Sequence, residues 1–217
     1  MNETYPATYR VSHGEESTFL HNDGKTLQMK VRGVEFSGER FDDFTAEDTE
    51  LALLTDFNFN LGDLCDYSLK WTMPIPISEN GNMIKATLRG EIILGVPTER
   101  GWLDRQDVTF SLDYNGKTFQ SNGKSGWFET ELLEIQEALP PGILMKACIT
   151  CALSDYSPYG HSLFGCLACF RGNQKAYLEV NNKYDLFAVW DTLTEFVQET
   201  YLCPQFLPRQ KGAGYRG

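Results

Sequence analysis

Four cysteines spelled C-x2-C, fourteen residues, C-x2-C (Cys148, Cys151, Cys166, Cys169) constrain this chain more than any other feature, and Cys203 follows them in TYLCPQF. Two close pairs joined by a hairpin or loop supply sulfurs at the spacing of a tetrahedral thiolate zinc site. Zinc binds structurally when protein fills all four positions, each sulfur about 2.3 Å from the ion. Two details oppose a plain reading of the pairs. The residues between them, Ile149-Thr150 and Leu167-Ala168, lack the glycines that ease a knuckle turn. Cysteines three apart on a regular strand also point to opposite faces and cannot share an ion.

Five cysteines compete for four places. LFGCLACF is apolar on both faces, so one of Cys166 and Cys169 reads as a small buried hydrophobe. Cys169 adjoins the polar turn Arg171-Gly172-Asn173, and Cys203 precedes Pro204 where an apolar pattern breaks, and both places suit a ligand. The expected metal set is Cys148, Cys151, Cys169 and Cys203 around one structural Zn2+, with Cys166 as the alternate. Buried free thiols are the competing reading, and disulfides or redox chemistry a third. His161, in DYSPYGHS between the pairs, is read as a solvated loop residue, a ligand, or the partner of Asp155 in an acid–base pair.

With 217 residues, 41% hydrophobic and 13% aromatic, the chain can build a core as one large domain or two small ones. Its start, MNETYPATYR, has no basic run followed by an apolar one, and no stretch approaches the ~18 apolar residues of a spanning helix. The expectation is a soluble, cytoplasmic protein with no membrane partner, a compartment that favours thiols or metal over disulfides. The net charge of −11 is uneven: residues 1–142 hold 24 acidic and 12 basic residues, residues 143–217 hold 6 and 7. An acidic front repels phosphates, so nucleic acid is an unfavoured partner. The run Asp42, Asp43, Glu47, Asp48, Glu50 reads as a solvated face or as a docking patch for a basic protein.

The expected fold is α+β and β-rich: a sandwich-like N-terminal portion (residues 1–142) and a smaller cysteine-bearing, zinc-ribbon-like C-terminal portion (143–217) with a basic tail, forming one compact unit. Asp23-Gly24, the SENGN turn and Asn115-Gly116 mark hairpins between alternating strands. The prolines of DYSLKWTMPIPI suit an edge strand. Thr45 and Asp48 have the spacing of a capping box, predicting a short helix near 46–54. WFETELLEIQEALPPG predicts an amphipathic helix ended by Pro140-Pro141-Gly142. ILMKACITCALSDY and LFGCLACF read as two buried strands, AYLEV and YDLFAVW as further strands, and DTLTEFVQETYL as a helix or, less favoured, a final strand. The tail PRQKGAGYRG reads as flexible, or as folding over an anion or back onto the thiols.

The stretches DYSPYG, CFR, VQETYLC and GYRG resemble an uncharacterised bacterial protein family, a domain of unknown function with no established activity. The resemblance implies a soluble, single-chain bacterial protein. Genes of this sort resemble those around polymorphic toxin systems, which implies a toxin-neutralising role.

No phosphate-binding loop, dinucleotide fingerprint, G-x-S-x-G or H-E-x-x-H is present, and the three histidines leave few histidine-based options. The leading reading is a non-catalytic binding protein with a structural zinc, an immunity-type inhibitor of a basic toxin. The alternatives are an enzyme using Asp155 and His161 with a cysteine or an open zinc site, and a regulatory or nucleic-acid-binding zinc module using the tail.

Overall fold

A computed structural model describes residues 2–46, 51–210, 212 and 214–216 of the chain, with the side chains of residues 51 and 52 also outside the description. The chain divides into two units, Met1–Pro74 with Ala86–Ala138, and Ile75–Lys85 with Leu139–Gly217.

Alternating sequence builds the first unit. Its strands are β1 (Glu3–Val11), β2 (Gly14–Asn22), β3 (Leu27–Val31), β4 (Val34–Gly38), β5 (Thr45–Ala46), β6 (Asn58–Asn60), β7 (Asp63–Cys65), β10 (Gln106–Tyr114), β11 (Lys117–Gln120) and most of β8 (Tyr67–Glu79) and β9 (Asn82–Leu94), whose hairpin end, Ile75–Lys85, belongs to the second unit. All but β6 and β7, which pair with each other, lie in one sheet in the order β11-β10-β9-β8-β1-β2-β3-β4-β5. Tyr67, Leu69, Trp71 and Met73 bury one face of β8, as Val108, Phe110, Leu112 and Tyr114 do on β10. The period-two pattern thus becomes one apolar face. Helix α1 (Phe128–Ala138) adds Phe128, Leu132 and Ile135 to the core.

The sheet must curl. β4 and β8 stand four places apart in its order, roughly 19 Å at ordinary strand spacing. Phe41, just beyond β4, nevertheless stacks on Trp71 of β8 with ring centroids 4.4 Å apart, and Phe128 stacks on Phe41 at 5.2 Å. A sheet folded over its own aromatic core is the sandwich-like arrangement the sequence predicts. Gly90, beneath the Trp71 indole, has no room for a side chain: a Cβ there would lie 2.3 Å from the ring.

The hairpins fall where the turn residues place them: Asp23-Gly24 joins β2 to β3, Asn80-Gly81 joins β8 to β9, and Asn115-Gly116 joins β10 to β11. Both Asn-Gly turns are left-handed, with φ of 49° and 85°, and of 54° and 73°. β8 is not an edge strand, yet its prolines obey the edge rule locally. β1 pairs with Ser68–Trp71, the next partner pairs with Ile77–Glu79, and Pro74 and Pro76 occupy the gap. The helix expected near 46–54 is instead a 3-10 turn over Leu51–Asp56, and Thr45 belongs to β5. Asp48 lies outside the described residues, as do Glu47 and Glu50.

In the second unit β12 (Ile143–Met145) pairs with the end of β8, and β13 (Ser154–Asp155), β14 (Leu167–Cys169) and β15 (Glu195–Val197) form a small antiparallel sheet. The helices α2 (Gln174–Tyr177) and α3 (Lys183–Val189) replace the strands expected in AYLEV and YDLFAVW. The reason is visible in the spacing: buried Tyr177 and Val180 are three apart, and Asn182 caps α3 by accepting the N–H groups of Tyr184 (2.9 Å) and Asp185 (3.2 Å). In DTLTEFVQETYL the strand alternative holds rather than the favoured helix, because Glu195–Val197 pairs with β14. Leu153, Ala168, Phe170, Tyr177 and Leu186 form the core, with Phe170 and Tyr177 stacked at 4.5 Å.

Candidate metal centre and the tail network

Cys148 and Cys151 sit at the start and just past the end of a 3-10 turn, closed by the Cys151 N–H on the Cys148 carbonyl at 3.1 Å. In a 3-10 turn side chains three apart eclipse, so this pair can face one point without a glycine. Cys169 ends β14 and is buried. Cys203 is buried as well, and the Cys148 N–H reaches the Tyr201 carbonyl at 2.8 Å, which holds the two segments together. Cys166 is half-buried, and its thiol turns to the Phe164 carbonyl at 3.5 Å. None of the six cysteines is in a disulfide. Cys65 belongs to the first unit, with burial pushing its thiol up to about 11.

Cys148, Cys151, Cys169 and Cys203 are electrostatic neighbours. Burial is the main cause holding the Cys148 thiol far above its usual range, and the other three sulfurs each add to it. Burial likewise raises Cys169, with Cys203 and Cys151 contributing and the Arg171 N–H and guanidinium opposing. The group is not a closed tetrahedron: among the described residues no three His, Cys, Asp or Glu side chains stand close enough to hold a metal ion as they are.

Two of the four sulfurs share one local geometry. Cys151 Sγ accepts the N–H of Leu153 at 3.5 Å, and Cys203 Sγ accepts that of Gln205 at 3.3 Å. Each donor is the residue two positions on. The Arg171 guanidinium lies 4.0 Å from Cys169 Sγ and pairs with Glu195. Such donors favour the anionic form of sulfur, whereas burial opposes it. A divalent cation would reverse that balance by carrying the opposing charge itself.

Beside the turn lies a second buried constellation. Ser154 Oγ donates to the Cys148 carbonyl at 2.7 Å and approaches the Cys151 carbonyl at 3.2 Å. Asp155 is fully enclosed: Oδ2 accepts the Tyr177 hydroxyl at 3.0 Å and the Tyr215 N–H at 2.9 Å. Arg209 and Arg216 both donate to the Ser154 carbonyl. The described part of the tail therefore folds back onto β13. Asp155 is committed to this network, while His161 stacks on Tyr156 with centroids 4.0 Å apart.

Sequence reasoning missed Glu199, Tyr156 and Tyr177 as structural polar groups. Glu199 is fully buried and accepts the Tyr156 hydroxyl at 2.9 Å and the Gly165 N–H at 2.8 Å. Its signal in the sequence was faint: one acid amid FVQETYL.

A family model described as "Family of unknown function (DUF6304)" matches residues 3–154, and the chain belongs to that family. No curated protein and no solved structure matches it.

Proposed function

We propose that this DUF6304 protein is a non-catalytic binding protein whose second unit is stapled by one structural Zn2+ on Cys148, Cys151, Cys169 and Cys203, in the manner of a zinc ribbon. The observation that carries the zinc is the repeated backbone N–H on sulfur from two residues on, present at two of the four thiols, with the Arg171 guanidinium beside a third. Oriented donors of this kind steady a thiolate ligand from its outer shell. Side-chain rotations bringing the four sulfurs to about 2.3 Å from a common point would complete the site. The metal would then join the turn at Cys148, the end of β14 and the segment at Cys203, so that its binding energy becomes folding energy.

The binding role rests on charge. The acidic excess lies within residues 1–142, and such a surface suits a basic protein through steering and complementarity, as an immunity-type inhibitor meets a basic toxin. Asp42 and Asp43 are poor candidates for the contact itself, since both are tied to Arg40 at 3.7 and 2.9 Å and burial raises both carboxyls.

Elemental analysis of protein purified without chelators tests the metal. About one zinc per chain is expected, and less than about a tenth of an equivalent defeats the proposal. Removal by a strong chelator should lower the melting temperature, and restored zinc should recover it.

A further inference from the structure

Three hairpins of the first unit and the β8–β9 hairpin turn on two left-handed residues ending in glycine: Arg32-Gly33, Leu61-Gly62, Asn115-Gly116 and Asn80-Gly81. Asparagine tolerates this conformation best after glycine, and the chain uses it twice. The two departures differ in kind. Arg32 has internal work, lying over the Phe57 ring at 6.0 Å and reaching the Asp56 carbonyl at 3.4 Å. Leu61 carries the same backbone strain at φ 55° and projects into solvent, 92% exposed.

A second apolar side chain stands beside it. Asn60 Nδ2 donates to the Gly101 carbonyl at 3.0 Å, which brings the β6–β7 tip against the loop carrying Trp102, itself 73% exposed. That loop is fixed: the Trp102 carbonyl accepts both the N–H and the hydroxyl of Thr98, at 2.7 and 2.8 Å, and Asp104 caps the N–H of Val96 at 2.8 Å. Residues 58–66 and 95–107 contribute five carboxylates and two arginines, one of them, Arg105, paired with Asp107. A rigid aliphatic and a rigid indole on an acidic rim match the anatomy of an interface anchor, with apolar contact at the centre and charge around it.

We infer that Leu61 and Trp102 form the contact tip for a basic protein partner that offers an apolar pocket, a placement that rests on the binding role proposed above. A second copy of this chain is the poorer occupant, because it would bring one acidic rim against another. The tip keeps a residue that its own turn disfavours, and a contact outside the chain accounts for that choice.

The test uses the turn chemistry itself. Leu61→Asn keeps the hairpin and removes the apolar tip, so its melting temperature should equal or exceed that of the wild type. A photo-reactive amino acid at Trp102, in the cells that make the protein, should crosslink one basic protein, whereas the same label at exposed Tyr184 should not. That protein, purified, should bind Leu61→Asn and Trp102→Ala at least about tenfold more weakly than wild type. A basic partner whose salt-sensitive binding ignores both substitutions overturns the tip and leaves the binding role standing. An acidic partner, a self-crosslink, or no crosslink above the Tyr184 control overturns both.

Discussion

The Tyr156 hydroxyl donates to Glu199 Oε1 at 2.9 Å, and both residues are buried. The N–H groups of Gly165 and Cys166 also serve this carboxylate, yet burial outweighs them all and pushes its pKa from 4.5 up to about 7. Below about pH 4.5 both folded and unfolded chains hold the proton, and the contribution is fully present. Between there and about pH 7 only the folded protein keeps it, so stability falls as pH rises, by a total of about 3 kcal/mol. Wild type should therefore melt at a lower temperature at about pH 8 than at about pH 5. Glu199→Gln should flatten that slope and be the more stable of the two at the higher pH. Equal slopes in calorimetry would refute the assignment.

Gly90 makes a second, purely steric prediction. The Trp71 indole occupies the space of its missing side chain and is in turn stacked on Phe41. Gly90→Ala should cost roughly 1–3 kcal/mol, the usual range for overpacking a filled core. Urea unfolding should show an earlier midpoint with an unchanged slope, and a midpoint within error of wild type would mean the ring shifts freely.

The thiols can be separated by substitution. Cys203→Ser should abolish zinc retention and lower the melting temperature, because it removes a ligand from the proposed set. Cys166→Ser should leave both nearly unchanged, since that thiol is half-buried and turned to the Phe164 carbonyl. Zinc content by elemental analysis decides: the reverse pattern would exchange the two residues.

What could be read from the sequence followed how local its cause was. The Asn-Gly hairpins, the α1 helix and the alternating strands were legible, because turn chemistry and periodicity act within a few residues. That a single sheet makes the sandwich-like layers by curling was not, since it depends on Phe41 meeting Trp71 across four strand positions. α2 and α3 were misread because aromatic, β-branched residues mimic strand composition, and the Tyr177–Val180 spacing and the Asn182 cap were the stronger signals. The 3-10 turn at Cys148 was illegible because its hydrogen bond from residue 151 to residue 148 needs no glycine to mark it. Glu199 was illegible, because a buried acid is recognised only by the groups that fold around it.

The tail gives the most demanding test. Asp155 accepts the N–H groups of Tyr215 and Arg216 at 2.9 and 3.4 Å, and its charge lies among Arg209, Arg216 and Tyr177. Asn at this position keeps one acceptor oxygen and loses the charge opposing two guanidiniums in a largely enclosed site. Breaking one side of a buried pair typically costs about 3–5 kcal/mol, mostly through the charge left behind. Asp155→Asn should therefore destabilise strongly and open the tail to trypsin at Arg209 or Arg216. Arg216→Met added to it should recover part of the loss, giving a coupling energy of about 1 kcal/mol or more in a double-mutant cycle. High salt should change little, because enclosed charges are weakly screened. Simple additivity of the two substitutions would show that Asp155 holds the tail through its backbone contacts alone.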